Sequence, residues 1–209
     1  VKVEVLRPFG PSIVKTRIPE IIINNMNNYV DETIKDKQKI SKLDHGGQLA
    51  GKVQQEFLLE TEFMQKIKWA EFLASAVKEW LNFESNNRKT LKNFEIIRSW
   101  IVRQFKNEYN PVHHHSGHVS GVGYLKVPKN LGEVNEKKSS NENGKLLLIH
   151  GSVNLFCKPT HLIKPEVGDF YLFPNYLLHT VYPFSDTDEE RRSVSFNAKL
   201  DENAASYSS

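Results

Sequence analysis

The hydrophobic pattern of this chain changes period at its middle, and that change limits the available folds more than any other feature. From Glu60 to Leu81, the residues Phe63, Ile67, Phe72, Leu73, Ala76, Val77, Trp80 and Leu81 recur mostly at helical steps. The spacing predicts an amphipathic helix of about six turns. From Phe94 onward the apolar segments become short, β-branched and aromatic. Ile96 to Phe105, Val119 to Val127, Lys145 to Ile149, Asp169 to Phe173, His179 to Tyr182 and Ser193 to Leu200 read as strands separated by polar turns. Such a run suits a sandwich or barrel, and its surface offers the helix a place to bury its apolar stripe.

The remaining segments fit around this division. Pro19-Glu20 opens a helix over Ile21 to Tyr29, with Pro in its first turn. Val1, Val3 and Val5 alternate with Lys2 and Glu4 as in a half-buried strand, with no charged start before an apolar stretch. No secretion signal is expected there. Asp44 to Gly47 reads as a loop. Glu136 to Gly144 is a polar connection between strands, solvated first and a candidate lid second. The expectation is one domain over 1–209: mostly helical support over 1–92, a β core over 93–200, and a tail over 201–209 whose end, Ala204 to Ser209, frays.

Charge and cysteine content narrow the function classes. Net charge is +3, with both signs mixed along the chain, so no basic stripe argues for nucleic acid. The longest apolar runs, such as Leu146 to Ile149, are far too short to cross a membrane. The single cysteine, Cys157, forms no intrachain disulfide. It suits a reducing compartment, and therefore a cytoplasmic location, or an inert core position.

Four of the eight histidines fall in His113-His114-His115-Ser116-Gly117-His118. On an extended strand, residues two apart share a face, so His113 and His115 point one way and His114 the other. Two such imidazoles supply neighbouring metal ligands, with a third from another strand. His179 is the best third. It follows a strand and a Pro-containing turn that bring the chain back, and iron and zinc both accept imidazole. Further on, Arg191, Ser193, Ser195 and Asn197 share one strand face. An Arg with a hydroxyl two residues later is shaped to hold a carboxylate. If the strand slips by one residue, Arg192 takes that place.

The order His-x-His, Ser-Gly-x-x-Tyr-Leu, Gly-Asp-x-x-x-Phe-Pro-x-x-x-x-His-x-Val and Arg-x-Ser-x-Ser-Phe-Asn resembles the iron(II)/2-oxoglutarate-dependent oxygenases over roughly Phe94 to Leu200. The nearest branch is an uncharacterised 2-oxoglutarate–Fe(II) oxygenase group related to the prolyl hydroxylases. The resemblance implies a double-stranded β-helix, a jelly-roll or cupin-like barrel, behind a helical N-terminal half. It implies a dioxygenase using Fe(II), 2-oxoglutarate and O2, with hydroxylation as the default outcome and a small-molecule or peptidyl substrate. Residue by residue, it assigns His113, His115 and His179 to the metal, and Arg191, Ser193 and Tyr124 to the far carboxylate of 2-oxoglutarate. Asn110 and His118, close in sequence to the metal pair, are placed near the substrate. The chain departs from the family where a carboxylate usually follows the first ligand. His115 stands there, and neither Asp169 nor Glu166 is placed to compensate.

Two other readings stay open on the sequence. A cupin-like three-histidine metalloprotein or dioxygenase would need no 2-oxoglutarate, though it would leave Arg191 and Ser193 without a purpose. A non-catalytic barrel would bind a ligand or partner without turnover.

Overall fold

The computed structural model describes residues 10–48, 51–132 and 141–206. The expected Val1 to Val5 strand, the 136–140 part of the polar connection and the last three residues of the tail lie outside the described residues. In chain order the elements are β1 (Val14–Arg17), α1 (Glu20–Thr33), α2 (Lys37–Leu43), β2 (Gln55–Leu58), α3 (Thr61–Lys66), α4 (Trp69–Glu84), β3 (Phe94–Gln104), β4 (Asn110–His113), β5 (Val119–Lys126), β6 (Leu146–Ile149), β7 (Thr160–Ile163), β8 (Asp169–Pro174), β9 (Leu178–Val181), β10 (Arg191–Leu200) and α5 (Glu202–Ala205). The protein is mostly β. A six-stranded sheet has the order β1-β8-β5-β10-β3-β2 and a four-stranded sheet the order β4-β9-β6-β7. Every pairing in both is antiparallel.

Alternation along the strands builds two cores, one on each face of the larger sheet. On the outer face Ile101, Phe170, Leu172, Val194 and Phe196 pack with Met26 and Val30 of α1 and Trp69, Leu73 and Val77 of α4. Trp69 is fully buried, stands edge-on to Phe170 at 5.4 Å between ring centroids, and donates its indole N–H to Ser99 Oγ at 3.1 Å. Close approach here depends on Gly123, where a Cβ would lie 2.5 Å from Phe170 and from Ile18. On the inner face Val122, Tyr124 and Phe173 meet Leu146, Leu148 and Ile163 of the smaller sheet.

Several expectations change. The helix read over Glu60 to Leu81 is two helices, α3 and α4, divided where Lys68 adopts the left-handed conformation at φ 59°. The apolar spacing continues through the break, so periodicity alone does not reveal it. Residues 1–92 are not simply helical support, because β1 and β2 form the two edges of the six-stranded sheet. Each has only four residues, too few to display a period. The tail is tied down through Ser206. Asp201 caps α5 by accepting from Ala204 N at 3.1 Å and also accepts from Lys92 N at 2.8 Å. Cys157 is exposed rather than in a core. Among the described residues no helix is long and apolar enough to cross a membrane.

A buried ionic cluster joins the helical layer to the sheet. Glu190 Oε1 accepts from Arg103 Nε and from Arg192 Nε, each at 2.7 Å. Arg192 continues to Asp31 of α1 at 2.7 Å and to the side-chain oxygen of Asn27 at 3.0 Å. Burial raises the Glu190 carboxyl, but the two guanidinium groups override it and hold it down at about 2. A free glutamate titrates near 4.3. The resulting stability is therefore complete above about pH 4.3 and is lost as pH falls toward 2. Glu190→Gln leaves two buried arginines without their carboxylate and is expected to cost on the order of 3 kcal/mol. Urea unfolding at pH 7 measures that loss. Repeating it between pH 4.5 and 3 should show the wild type converging on the variant.

Candidate functional site

β4 and β9 lie side by side with His113 opposite His179. Just past β4, His115 is held by the turn before β9. Its N–H donates to Asn175 O at 3.0 Å, and its carbonyl accepts from Asn175 Nδ2 at 3.0 Å. The three rings converge. Centroids are 4.2 Å apart for His113 and His179, 4.8 Å for His115 and His179, and 4.9 Å for His113 and His115. The ligand atoms of the three lie within 4.8 Å of one another, a group able to hold a metal ion.

The hydrogen bonds prepare these rings for a cation. His113 Nδ1 lies 2.7 Å from Pro111 O and His179 Nδ1 lies 2.9 Å from Leu177 O. A carbonyl only accepts, so both Nδ1 atoms carry the proton and both Nε2 atoms present lone pairs inward. His115 Nε2 stands 3.1 Å from His179 Nε2. Two nitrogens bound to one ion at about 2.1 Å and at right angles are about 3 Å apart, so the pair matches neighbouring coordination positions. Burial, then the adjacent imidazoles, lower the His115 pKa to about 3. Burial and His113 lower that of His179 to about 4, and burial also lowers His113. At neutral pH the rings are uncharged, the form that binds metal.

The trio opens into a cavity of about 330 Å³ between the sheets. Opposite the histidines, Arg191, Ser193, Ser195 and Asn197 of β10 line it from one face, as the alternation predicts. Arg192 points the other way, into the ionic cluster, so of the two arginines Arg191 is the one that lines the cavity. Arg191 is 2% exposed. Its Nη1 donates to Gln104 Oε1 at 2.9 Å, but its Nε and Nη2, like the hydroxyl of Tyr124, are buried without a hydrogen-bond partner among the described residues. The guanidinium carbon sits 5.0 Å from the Tyr124 ring centroid. Burial pushes the Tyr124 phenol up to about 12 and pulls Arg191 down. A buried guanidinium with spare donors and a neighbouring O–H asks for an anion with several oxygens.

Asn110 is buried and lines the cavity. His118 does not enter it. It is exposed on the other side of the β4–β5 connection, where its Nδ1 accepts from Leu200 N at 3.0 Å. Nearness in sequence misleads here because the chain turns at Gly117, which has φ +104°. No carboxylate joins the histidines among the described residues. Asp169 is instead paired with Lys15 and Arg17, each at 2.6 Å. Sequence reasoning missed Glu56 and Arg98, which also line the cavity. Glu56 belongs to the short β2, which has no periodic signal.

Residues 98–197 match the family model described as "Putative 2OG-Fe(II) oxygenase". Over this stretch the chain is similar to the 2OG-Fe(II) oxygenases. It contains His113, His115, Tyr124, His179, Arg191 and Ser193, and the family uses Fe(II), 2-oxoglutarate and O2. No curated protein matches the sequence.

Solved structures resemble the chain in fold. The viral collagen prolyl hydroxylase of Paramecium bursaria Chlorella virus-1, solved with 2-oxoglutarate, is 15% identical, with 89% of this chain and 94% of that chain covered and a TM-score of 0.54. HygX of Streptomyces hygroscopicus, with nickel, 2-oxoglutarate and hygromycin B bound, is 10% identical over 92% and 84%, with a TM-score of 0.58. A Trichoplax adhaerens prolyl hydroxylase bound to a hypoxia-inducible-factor peptide is 17% identical over 96% and 87%, with a TM-score of 0.55.

Replacing one imidazole removes a ligand and leaves its neighbours' lone pairs facing one another. His179→Ala and His115→Ala are each expected to weaken iron(II) binding by about 100-fold or more, with little change in thermal unfolding of the metal-free protein. Anaerobic titration with iron(II) measures the first and calorimetry the second.

Proposed function

We propose that this protein is an Fe(II)- and 2-oxoglutarate-dependent hydroxylase, with iron held by His113, His115 and His179 and the oxo acid's far carboxylate held by Arg191, Ser193 and Tyr124. The observation that carries the reading is the buried Arg191–Tyr124 pair with its spare donors, placed in the same cavity as three converging neutral imidazoles. A three-histidine site without an oxo acid gives that pair no partner, so the cupin-like alternative falls behind. We read the two sheets as the halves of a double-stranded β-helix and residues 1–209 as one domain. The exposed Cys157 suits a reducing compartment, which supports a cytoplasmic location.

When bound, iron(II), 2-oxoglutarate and oxygen supply an oxidant able to replace hydrogen on an unactivated carbon, with the oxo acid leaving as succinate and carbon dioxide. The chain's own part is placement. Leu177 and Pro111 carbonyls keep His179 and His113 in the metal-binding tautomer. Trp100, edge-on to His115 at 5.7 Å, steadies that ring. Arg191, pinned by Gln104, sets how far into the cavity a dicarboxylate can reach, and so fixes its other end against the histidines. Phe173 and Leu146 wall the cavity against water. With His115 in place of a carboxylate, the protein contributes no negative charge to the metal. The oxo acid then becomes the main source of neutralising charge, and its binding should be strongly coupled to that of iron.

The substrate is read as a small molecule or a peptide side chain that enters beside Asn110. Solved structures of similar fold hold molecules of both kinds: a peptide in the Trichoplax prolyl hydroxylase and hygromycin B in HygX.

Adding iron(II) and then 2-oxoglutarate to the metal-free protein without oxygen should produce a weak visible charge-transfer band. His179→Ala should abolish it. Arg191→Ala should raise the 2-oxoglutarate concentration needed by on the order of 100-fold, as expected for removing one partner of a buried charge pair. Iron binding with no band on addition of the oxo acid would overturn the reading.

A further inference from the structure

The cavity wall away from Arg191 carries a carboxyl group for which the proposed chemistry has no use. Glu56 of β2 is 3% exposed and lines the cavity. The register places it at the end of a row, Tyr124, Ser193, Val102, Glu56, that crosses β5, β10, β3 and β2. With about 4.8 Å between neighbouring strands, its backbone stands about 10 Å from Ser193 and roughly 14 Å from Tyr124. An oxo acid held at Arg191, Tyr124 and Ser193 therefore leaves the Glu56 side open.

The position of Glu56 is a built one. Asn110 hydrogen-bonds its carboxyl. It starts the strand that ends in His113, so Glu56 reaches the metal centre's own wall. Asn110 is itself fixed. Its carbonyl accepts from Thr180 Oγ1 at 2.7 Å. The backbone of Gly51 passes so close that a Cβ there would lie 2.7 Å from Asn110 Nδ2. The pair sits where β2, an edge of the larger sheet, faces β4, an edge of the smaller one.

Charge supplies the second half of the argument. Among the described residues Glu56 has no ion pair. Burial raises its carboxyl to about 7; the Asn110 bond opposes the shift, and the nearby Glu108 and Asp44 charges add to it. Among the described residues neither guanidinium group of the cavity makes an ion pair with Glu56: Arg98 Nη1 is turned to His45 Nε2 at 2.9 Å, and Arg191 is the proposed oxo-acid clamp. A carboxyl buried without a cation is costly, and a cation that arrives with the substrate removes that cost. With its carboxyl at about 7, Glu56 is partly protonated at neutral pH, and a bound cation favours and pairs with its charged form, whereas a neutral hydroxyl supplies only a hydrogen bond. Because the same 330 Å³ must also hold the oxo acid, a compact ammonium fits better than a planar guanidinium.

We propose that Glu56 and Asn110 form the substrate-recognition subsite and that the substrate carries a protonated amine, paired with Glu56, a few bonds from the carbon that is oxidised. The inference rests on the oxygenase reading of the site. It makes Glu56 a specificity-determining residue rather than a catalytic one.

The test uses n-butylammonium as probe, with n-butanol and butyrate as neutral and anionic counterparts. Each is titrated against the anaerobic protein loaded with iron(II) and 2-oxoglutarate, and binding near the metal is read as paramagnetic broadening of the probe's proton signals. Saturable broadening is expected for n-butylammonium, at least tenfold weaker binding for n-butanol, and none for butyrate. Glu56→Gln should weaken n-butylammonium binding at least tenfold, whereas Glu56→Asp, which keeps the charge, should retain most of it. Circular dichroism verifies that both variants fold. Equal binding of n-butanol, unchanged affinity in Glu56→Gln, or no broadening by n-butylammonium would each overturn the proposal. The visible band separates the two readings. If the band forms and n-butylammonium does not bind, only the amine subsite fails. If no band forms, the oxygenase reading itself fails.

Discussion

Two adjacent buried arginines on β10 face opposite sides of one sheet, and most of the architecture follows from how each is satisfied. Arg191 and Arg192 are both 2% exposed. Arg192 points outward, where Glu190, Asp31 and Asn27 neutralise and bond it, and this joins α1 to the sheet. Arg191 points inward to a cavity where Gln104 bonds its Nη1. A period of two residues separates structure from function across a single peptide bond. The central place of β10, paired with both β3 and β5, holds the inward face still. A one-residue slip would bring Arg192, Val194 and Phe196 into the cavity and turn Ser193, Ser195 and Asn197 away from it.

The candidate metal site is prepared differently. Its three imidazoles come from β4, the turn after it, and β9. Backbone carbonyls choose the tautomer of two of them, so the preparation of the site needs no second carboxylate layer. Burial keeps all three rings neutral. Without a cation, the facing Nε2 atoms of His115 and His179 must share a proton or repel.

The helical layer acts on the site through the sheet. Trp69 at the start of α4 bonds Ser99, and the Ser99 hydroxyl donates to Ser195 O of β10 at 2.8 Å. The N-terminal segment also contributes cavity wall directly, since β2 brings Glu56 to the seam beside Asn110. The part of the chain with no readable motif therefore shapes what can enter.

The sequence by itself determined six strands of the second half, though not the four-residue β4 and β7, together with the shared face of Arg191, Ser193, Ser195 and Asn197 and the pairing of His113 with His115. Each rests on local alternation, a property of consecutive residues. His179 was legible as a return to the same region, and its residue order resembles a known family. Only the tertiary structure decided the rest. It chose Arg191 over Arg192, broke one apparent helix at Lys68, removed His118 from the cavity and brought Glu56 into it. Those outcomes depend on register and on loop direction, which are set by contacts between residues far apart in the chain. A four-residue strand such as β2 has too few positions to show a period. Its place at a sheet edge, and the carboxyl it delivers to the cavity, exist only once β3 is there to pair with it.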